Sequence, residues 1–203
     1  MATNTLAPNG LSVARNFISG ANTYQANQFT IKRAYATSIG MGDVVATGTV
    51  ANLGYVTLAN DAATKILGIF AGVLPYYDAT LQGISHGLNG AYQSTSNPNA
   101  DIPCLVYSDP YTTFIAQVVG STGFSQSWVG QNIGWTAATN GAANSTGRSV
   151  LSLAFSSLGT APTLPFRIVG PAGITGGPQD PANVNPWVEV RINTSEVVSA
   201  TGV

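Results

Sequence analysis

The chain has 203 residues, of which Lys and Arg supply seven and Asp and Glu eight, so only 7% are charged and the formal net charge is −1. Soluble globular domains average about 25% charged residues; so sparse a set excludes a basic nucleic-acid-binding face and leaves little from which to build acid–base catalysis. A surface of Asn, Thr, Ser, Gln and Gly suits a chain covered by neighbours in an assembly, because burying neutral hydrogen-bonding groups costs far less than burying charges.

At this length about 70% of the unfolded chain's surface can be buried, so a core needs neither metal nor disulfide. The single cysteine, Cys104, lies among Ile102, Leu105 and Val106 and reads as a small buried hydrophobe. No basic segment followed by an apolar core opens the chain, and no run reaches the ~18 apolar residues of a membrane span. The expectation is a soluble chain made in a cytoplasm, with no membrane partner.

Residues 1–27 carry turn signals (Pro8-Asn9-Gly10, Ser19-Gly20) and little alternation, which predicts an extended N-terminal arm rather than part of the core. Leu11, Val13, Phe17 and Ile18 are its candidate anchors on a neighbouring subunit or shell. From Gln28 the pattern becomes that of a half-buried strand, with Phe29, Ile31 and Tyr35 on one side and Gln28, Thr30 and Lys32 on the other. Val44 to Thr47 and Gly54 to Leu58 are further short strands. The longest apolar run, Ile66 to Tyr77, contains Gly68 and Gly72 at the small-xxx-small spacing of membrane helix pairs, but it is too short for that role. With Pro75 among β-branched and aromatic residues, it reads as a buried strand with close backbone approach.

Gly83 to Ala100, rich in Gly, Ser and Asn, predicts a long exposed excursion. Ile102 to Tyr107 and Thr113 to Val119 then read as strands paired across a turn at Ser108-Asp109-Pro110-Tyr111. Trp128 to Trp135 begins the next set, Asn140-Gly141 is a hairpin signal, and Ser149 to Phe155 alternates weakly. Phe166 to Val169 and Trp187 to Ile192 alternate well, on either side of a Gly/Pro loop from Gly170 to Pro186. Nothing persists at helical period, so the predicted fold is all-β, a β-barrel or β-sandwich body over 28–203 that divides into two sub-units near residue 120.

Chemistry is thinly supplied. His86, the one histidine, sits in Ser85-His86-Gly87 and reads as a solvated loop residue. One His and one Cys cannot furnish the usual zinc ligand set, and no Asp-x-Asp calcium loop occurs. Gly170 to Gly177 lacks the Lys-Ser/Thr and following helix of a phosphate loop. Between Lys65 and Arg148 there is no Lys or Arg, which argues against nucleic acid as a partner. Trp128, Trp135 and Trp187 suit core or interface packing better than a sugar-stacking platform. The glycosylation-type triplets at Asn144 and Asn193 read as chance matches. The expectation is no catalytic residue, no metal and no cofactor, and a chain that associates with copies of itself.

Several segments in order resemble the capsid decoration, or cement, proteins of tailed-bacteriophage heads. They are Ile39 to Val45, Ile66 to Val73, Asp101 through Asp109-Pro110 to Val118, Val129 to Asn132, Gly147 to Leu153, Leu164 to Gly170, and Trp187 to Asn193. The order and spacing of these segments carry the resemblance; the arm and the 83–100 excursion depart from it. It implies a β-rich body on the outer surface of a virion capsid, made in the host cytoplasm. The implied partners are the major capsid protein and copies of itself, as a homotrimer that ties capsomers together. Two readings of other classes stay open: a carbohydrate-binding or host-adhesion module, which would use the tryptophans, and a glycosidase, which would need a close carboxylate pair among Asp78, Asp101, Asp109 and Asp180. Main capsid subunit is a same-class rival, disfavoured because that fold carries a long helix.

Overall fold

The computed structural model describes residues 10–16, 25–60, 65–79, 81–87, 90–94, 100–136, 146–173 and 180–197. Among them are thirteen strands and a few single turns of 3-10 helix, with no α-helix. The all-β expectation holds.

Five strands form a fully antiparallel sheet in the order β2 (Asn27–Ile31), β8 (Ile102–Tyr107), β5 (Gly68–Val73), β3 (Val44–Thr47) and β4 (Val56–Leu58). Its alternation puts Ile31, Ile102, Cys104, Val106, Phe70, Val45 and Val56 on one face, where they form a closed apolar cluster with Tyr92 and Ile39. The sheet curls around that cluster into a barrel whose end strands meet through side chains. The Leu58 N–H donates to the Tyr35 hydroxyl at 3.0 Å, the Tyr55 hydroxyl to Asp101 Oδ2 at 2.8 Å, and Lys32 Nζ to the Ala51 carbonyl at 2.6 Å.

The glycines of the Ile66 to Tyr77 run behave as the sequence predicts. A Cβ on Gly68 would collide with the Tyr107 carbonyl of the adjacent strand, and Gly72, at φ +141°, sits at the bulge where β5 shifts register against β8. Only glycine relieves both constraints.

A second sheet runs β1 (Ser12–Asn16), β9 (Thr112–Val119), β13 (Trp187–Ile192), β12 (Phe166–Pro171), β10 (Asn132–Ile133), with β11 (Leu153–Ala154) added in parallel to β9. Its inner face, including Phe114, Ala116, Val118, Phe166, Ile168, Val188 and Val190, packs on the outside of the barrel wall at Val44 and Ile69, with Tyr107 against the same core. The barrel sheet is thus buried on both faces at β3 and β5. The remaining strands, β6 (Tyr76–Asp78) and β7 (Gly83–Ser85), make a separate hairpin.

Three expectations change. β8 and β9 are not a hairpin: β8 pairs with β2 and β5, and β9 with β1, β13 and β11. Asp109 stabilises the turn between them by accepting the Tyr111 N–H at 2.9 Å, and the chain crosses there from one sheet to the other. The two units therefore do not divide simply near 120, because β1 and β9 both belong to the second sheet. The 83–100 segment is not wholly exposed either. Tyr92 is fully buried, is bridged to Ile39 and donates its hydroxyl to the Tyr35 carbonyl at 2.6 Å.

Candidate interaction surface

Leu11 and Val13 were expected to anchor on a neighbour. Instead β1 pairs with β9, Leu11 is 4% exposed within the core between the sheets, and Val13 packs against that core. The cause is local. Gly10, at φ +69°, turns the chain so that the Leu11 N–H reaches the Gly42 carbonyl at 3.0 Å, and a Cβ at Gly10 would be 2.7 Å from Ser149 Cβ. Phe17 and Ile18 lie outside the described residues. A cleft of about 270 Å³ remains beside β1, lined by Leu11, Val13, Met41, Phe70, Tyr107 and Arg148.

The same junction holds the buried Asp43. Its carboxylate accepts the Gly40 N–H at 2.7 Å and a short bond from the Ser149 hydroxyl, while the Met41 N–H donates to the Gly147 carbonyl and the Ser149 N–H to the Met41 carbonyl. A buried carboxylate whose partners are supplied by fixed backbone and a serine acts as a structural tie between the 40–43 and 147–149 segments.

Among the described residues, the most exposed large apolar side chains sit on the β3–β4 tip and on the β6–β7 hairpin. At the β3–β4 tip, Val50 is 92% and Leu53 65% exposed. Val50 also has φ +52°, a conformation that crowds a β-branched side chain and costs about 1–3 kcal/mol. The tip is braced from below by the bonds that close the barrel. Asp101, which also accepts the Arg33 N–H at 2.9 Å, is held below the usual carboxylate range, first by that backbone bond and then by Tyr55. Tyr55 is raised in turn by its hydrogen bond to Asp101. On the β6–β7 hairpin, Tyr77 and Ile84 are cross-strand partners that both face solvent, with Leu81 exposed at the turn, while Tyr76 and Asp78 face inward. Sequence reasoning passed over these five residues. Their one signal was a Val and a Leu inside the turn bounded by Gly48 and Gly54, where polar residues are the rule.

The reactive side chains are dispersed. Cys104 lies inside the barrel, where burial pushes its thiol up to about 12. His86 is exposed on the turn after β7. Trp128, Trp135 and Trp187 are 6%, 7% and 8% exposed, so none presents a ring face for a sugar. Of the carboxylates weighed for glycosidase chemistry, Asp78 caps the Leu81 N–H, Asp109 the Tyr111 N–H, Asp180 the Ala182 N–H, and Asp101 closes the barrel. Among the described residues no three His, Cys, Asp or Glu side chains are grouped to hold a metal. Asn193 is occupied by the Leu164 carbonyl at 2.9 Å; Asn144, Asn140-Gly141 and most of the glycine-rich run from 174 onward lie outside the described residues. No protein-family model and no curated protein matches the chain.

Proposed function

We propose that this chain is a structural virion protein, a decoration or cement subunit that binds the outside of a tailed-phage head and braces it through subunit contacts. The observation that carries the reading is the pairing of a charge-poor all-β body with large apolar side chains on projecting turns, Val50 and Leu53 above all. Burying an exposed Val or Leu side chain against a partner is worth roughly 1.5–3 kcal/mol before ordering costs. A subunit that binds the assembled shell and not its parts stabilises the shell by mass action, with many copies contributing together. The proposed partners are the major capsid protein and further copies of this chain, as a trimer.

The test uses heads that lack the protein. Added wild-type chain should bind them and raise the temperature at which they release their DNA, whereas Val50→Asp/Leu53→Asp should stay in the supernatant with its own melting unchanged. If wild-type chain fails to bind such heads, the reading is wrong.

A further inference from the structure

The β3–β4 tip is not an isolated apolar knob, because the chain that leaves β2 is bonded to it. Lys32 Nζ donates at 2.6 Å to the carbonyl of Ala51, which lies between Val50 and Leu53. The next residue, Arg33, donates its N–H to Asp101 Oδ1 at 2.9 Å, and Tyr55, two positions past Leu53, donates its hydroxyl to the other oxygen at 2.8 Å. The turn itself is closed by the Tyr55 N–H on the Asn52 carbonyl and the Gly48 N–H on the Tyr55 carbonyl, at 3.0 and 2.7 Å. Two of the chain's seven cations are thus placed beside Val50 and Leu53.

The carboxylates near these cations are engaged by other donors. Asp101 has its oxygens on the Arg33 N–H and the Tyr55 hydroxyl, and Glu196, below the tip, accepts the Thr47 N–H at 3.0 Å and the Thr47 hydroxyl at 2.6 Å. Among the described residues the salt bridge joins Arg15 to Glu189, so neither Lys32 nor Arg33 has a carboxylate on its charged end. The Ala51 carbonyl takes one proton of the Lys32 ammonium and leaves its charge in place. Arg33 is exposed, and a guanidinium fork is suited to a carboxylate. An apolar centre with a cationic edge is matched by an apolar recess with a carboxylate at its rim. The chain's own cleft beside β1 fails that match, because its lining holds Arg148 and no carboxylate. An anionic membrane fits poorly too, since such surfaces hold clusters of about four to eight Lys and Arg.

We propose that Val50, Leu53, Lys32 and Arg33 form one recognition surface whose partner is a protein of the shell that presents an apolar recess bordered by Asp or Glu, with Arg33 setting the specificity. The proposal rests on the reading of the tip as the shell anchor and adds the chemistry of the site that receives it.

Sedimentation of the full chain with heads that lack the protein, at a series of salt concentrations, tests it. Wild-type chain should bind more weakly as salt rises, and Arg33→Glu should lose at least roughly tenfold in affinity at low salt, because it sets like charges face to face. Arg33→Lys should fall between the two, since an ammonium keeps the charge without the fork. Arg33→Glu should melt as wild type does, because the side chain is exposed and the backbone N–H on Asp101 survives the substitution. If Arg33→Glu binds heads as tightly as wild type, or if wild-type binding ignores salt, the proposal is overturned and the capsid reading stands. If wild type binds no heads, both fall. Wild-type binding to vesicles of phosphatidylserine and phosphatidylcholine that Arg33→Glu abolishes also overturns it, in favour of a lipid surface.

Discussion

In the barrel, β4 and the tip before it are tied to the chain just after β2 and just before β8 by a tyrosine hydroxyl, a tyrosine–aspartate bond and a lysine on a carbonyl. In the second sheet, β9, β13 and β12 are joined along most of their length by backbone ladders, with β1 extending the ladder on the far side of β9. A ladder bond is inherited by any sequence that adopts the strand, whereas a side-chain seam depends on particular residues and their protonation. Two regions with similar apolar cores should thus differ in where they open first. The barrel's interior also holds the ionisable Tyr92 and Cys104, while the core between the sheets is built from aliphatic and aromatic side chains with Trp128 and Trp135 at its margin.

The largest effects should come from the cores themselves. Phe114→Ala, in the core shared by both sheets, should cost about 3–5 kcal/mol, and Phe70→Ala, inside the barrel, a similar amount. Their consequences should differ in reach. Phe114→Ala loosens the joint between the layers and should lower the single melting transition and hydrogen-exchange protection in both sheets. Phe70→Ala should act first on the barrel, so that Cys104 reacts faster with a thiol reagent before β9 and β13 amides lose protection. Equal acceleration of both probes in both variants would show that the regions open as one unit.

Alkaline pH should separate the regions next. Burial, with smaller contributions from Tyr76 and Tyr35, pushes Tyr92 from 10.0 up to about 12, and burial alone pushes Cys104 from 9.0 up to about 12. Both groups are neutral in either state below the unfolded values, so their stabilising effect is complete there. As pH rises from about 9 toward 12 the unfolded chain gives up protons that the folded barrel retains, and stability falls. Tyr92→Phe/Cys104→Ala should flatten the fall in urea midpoint between about pH 8 and 11, at a cost near neutrality of about 1 kcal/mol for the lost Tyr92 bond alone. An unchanged slope would mean that alkaline unfolding begins elsewhere.

Much of the fold was legible because strand alternation is a local property. Phe29 and Ile31, the Ile102 to Tyr107 run and the Trp187 to Ile192 run read correctly, as did the glycines that only a strand could need. What failed was pairing. The Asp109-Pro110 turn looks the same whether the next strand folds back in its own sheet or crosses to another, since both use the same Asp cap. β1 was missed because five residues between turn signals carry too little alternation, and a bulge between Val13 and Arg15 breaks what there is. Tyr92 was hidden in a polar stretch, one buried aromatic among glycines and serines. The Arg15–Glu189 ion pair could not be read at all, because it exists only once β1, β9 and β13 are in register.

The smallest effect belongs to the seam. The Arg33 N–H and then the Tyr55 hydroxyl hold the Asp101 carboxyl below its ordinary value of 3.8. Asp101 is well exposed, and bonds of this kind at a surface contribute a few tenths of a kcal/mol once solvent screens them. A depressed carboxyl stabilises the fold fully above its unfolded value and loses that contribution as pH falls through its folded one. Asp101→Asn should consequently melt slightly lower than wild type at neutral pH, with the gap closing as pH falls through the depressed folded value of Asp101. The more telling readout is local. At neutral pH the variant should label faster at Cys104 than wild type while β9 and β13 amides exchange at the same rate, because only the barrel relies on a side-chain closure. If Cys104 labels at the wild-type rate, the apolar interior holds the barrel shut without its seam, and the contrast between the two sheets reduces to the ionisable groups inside.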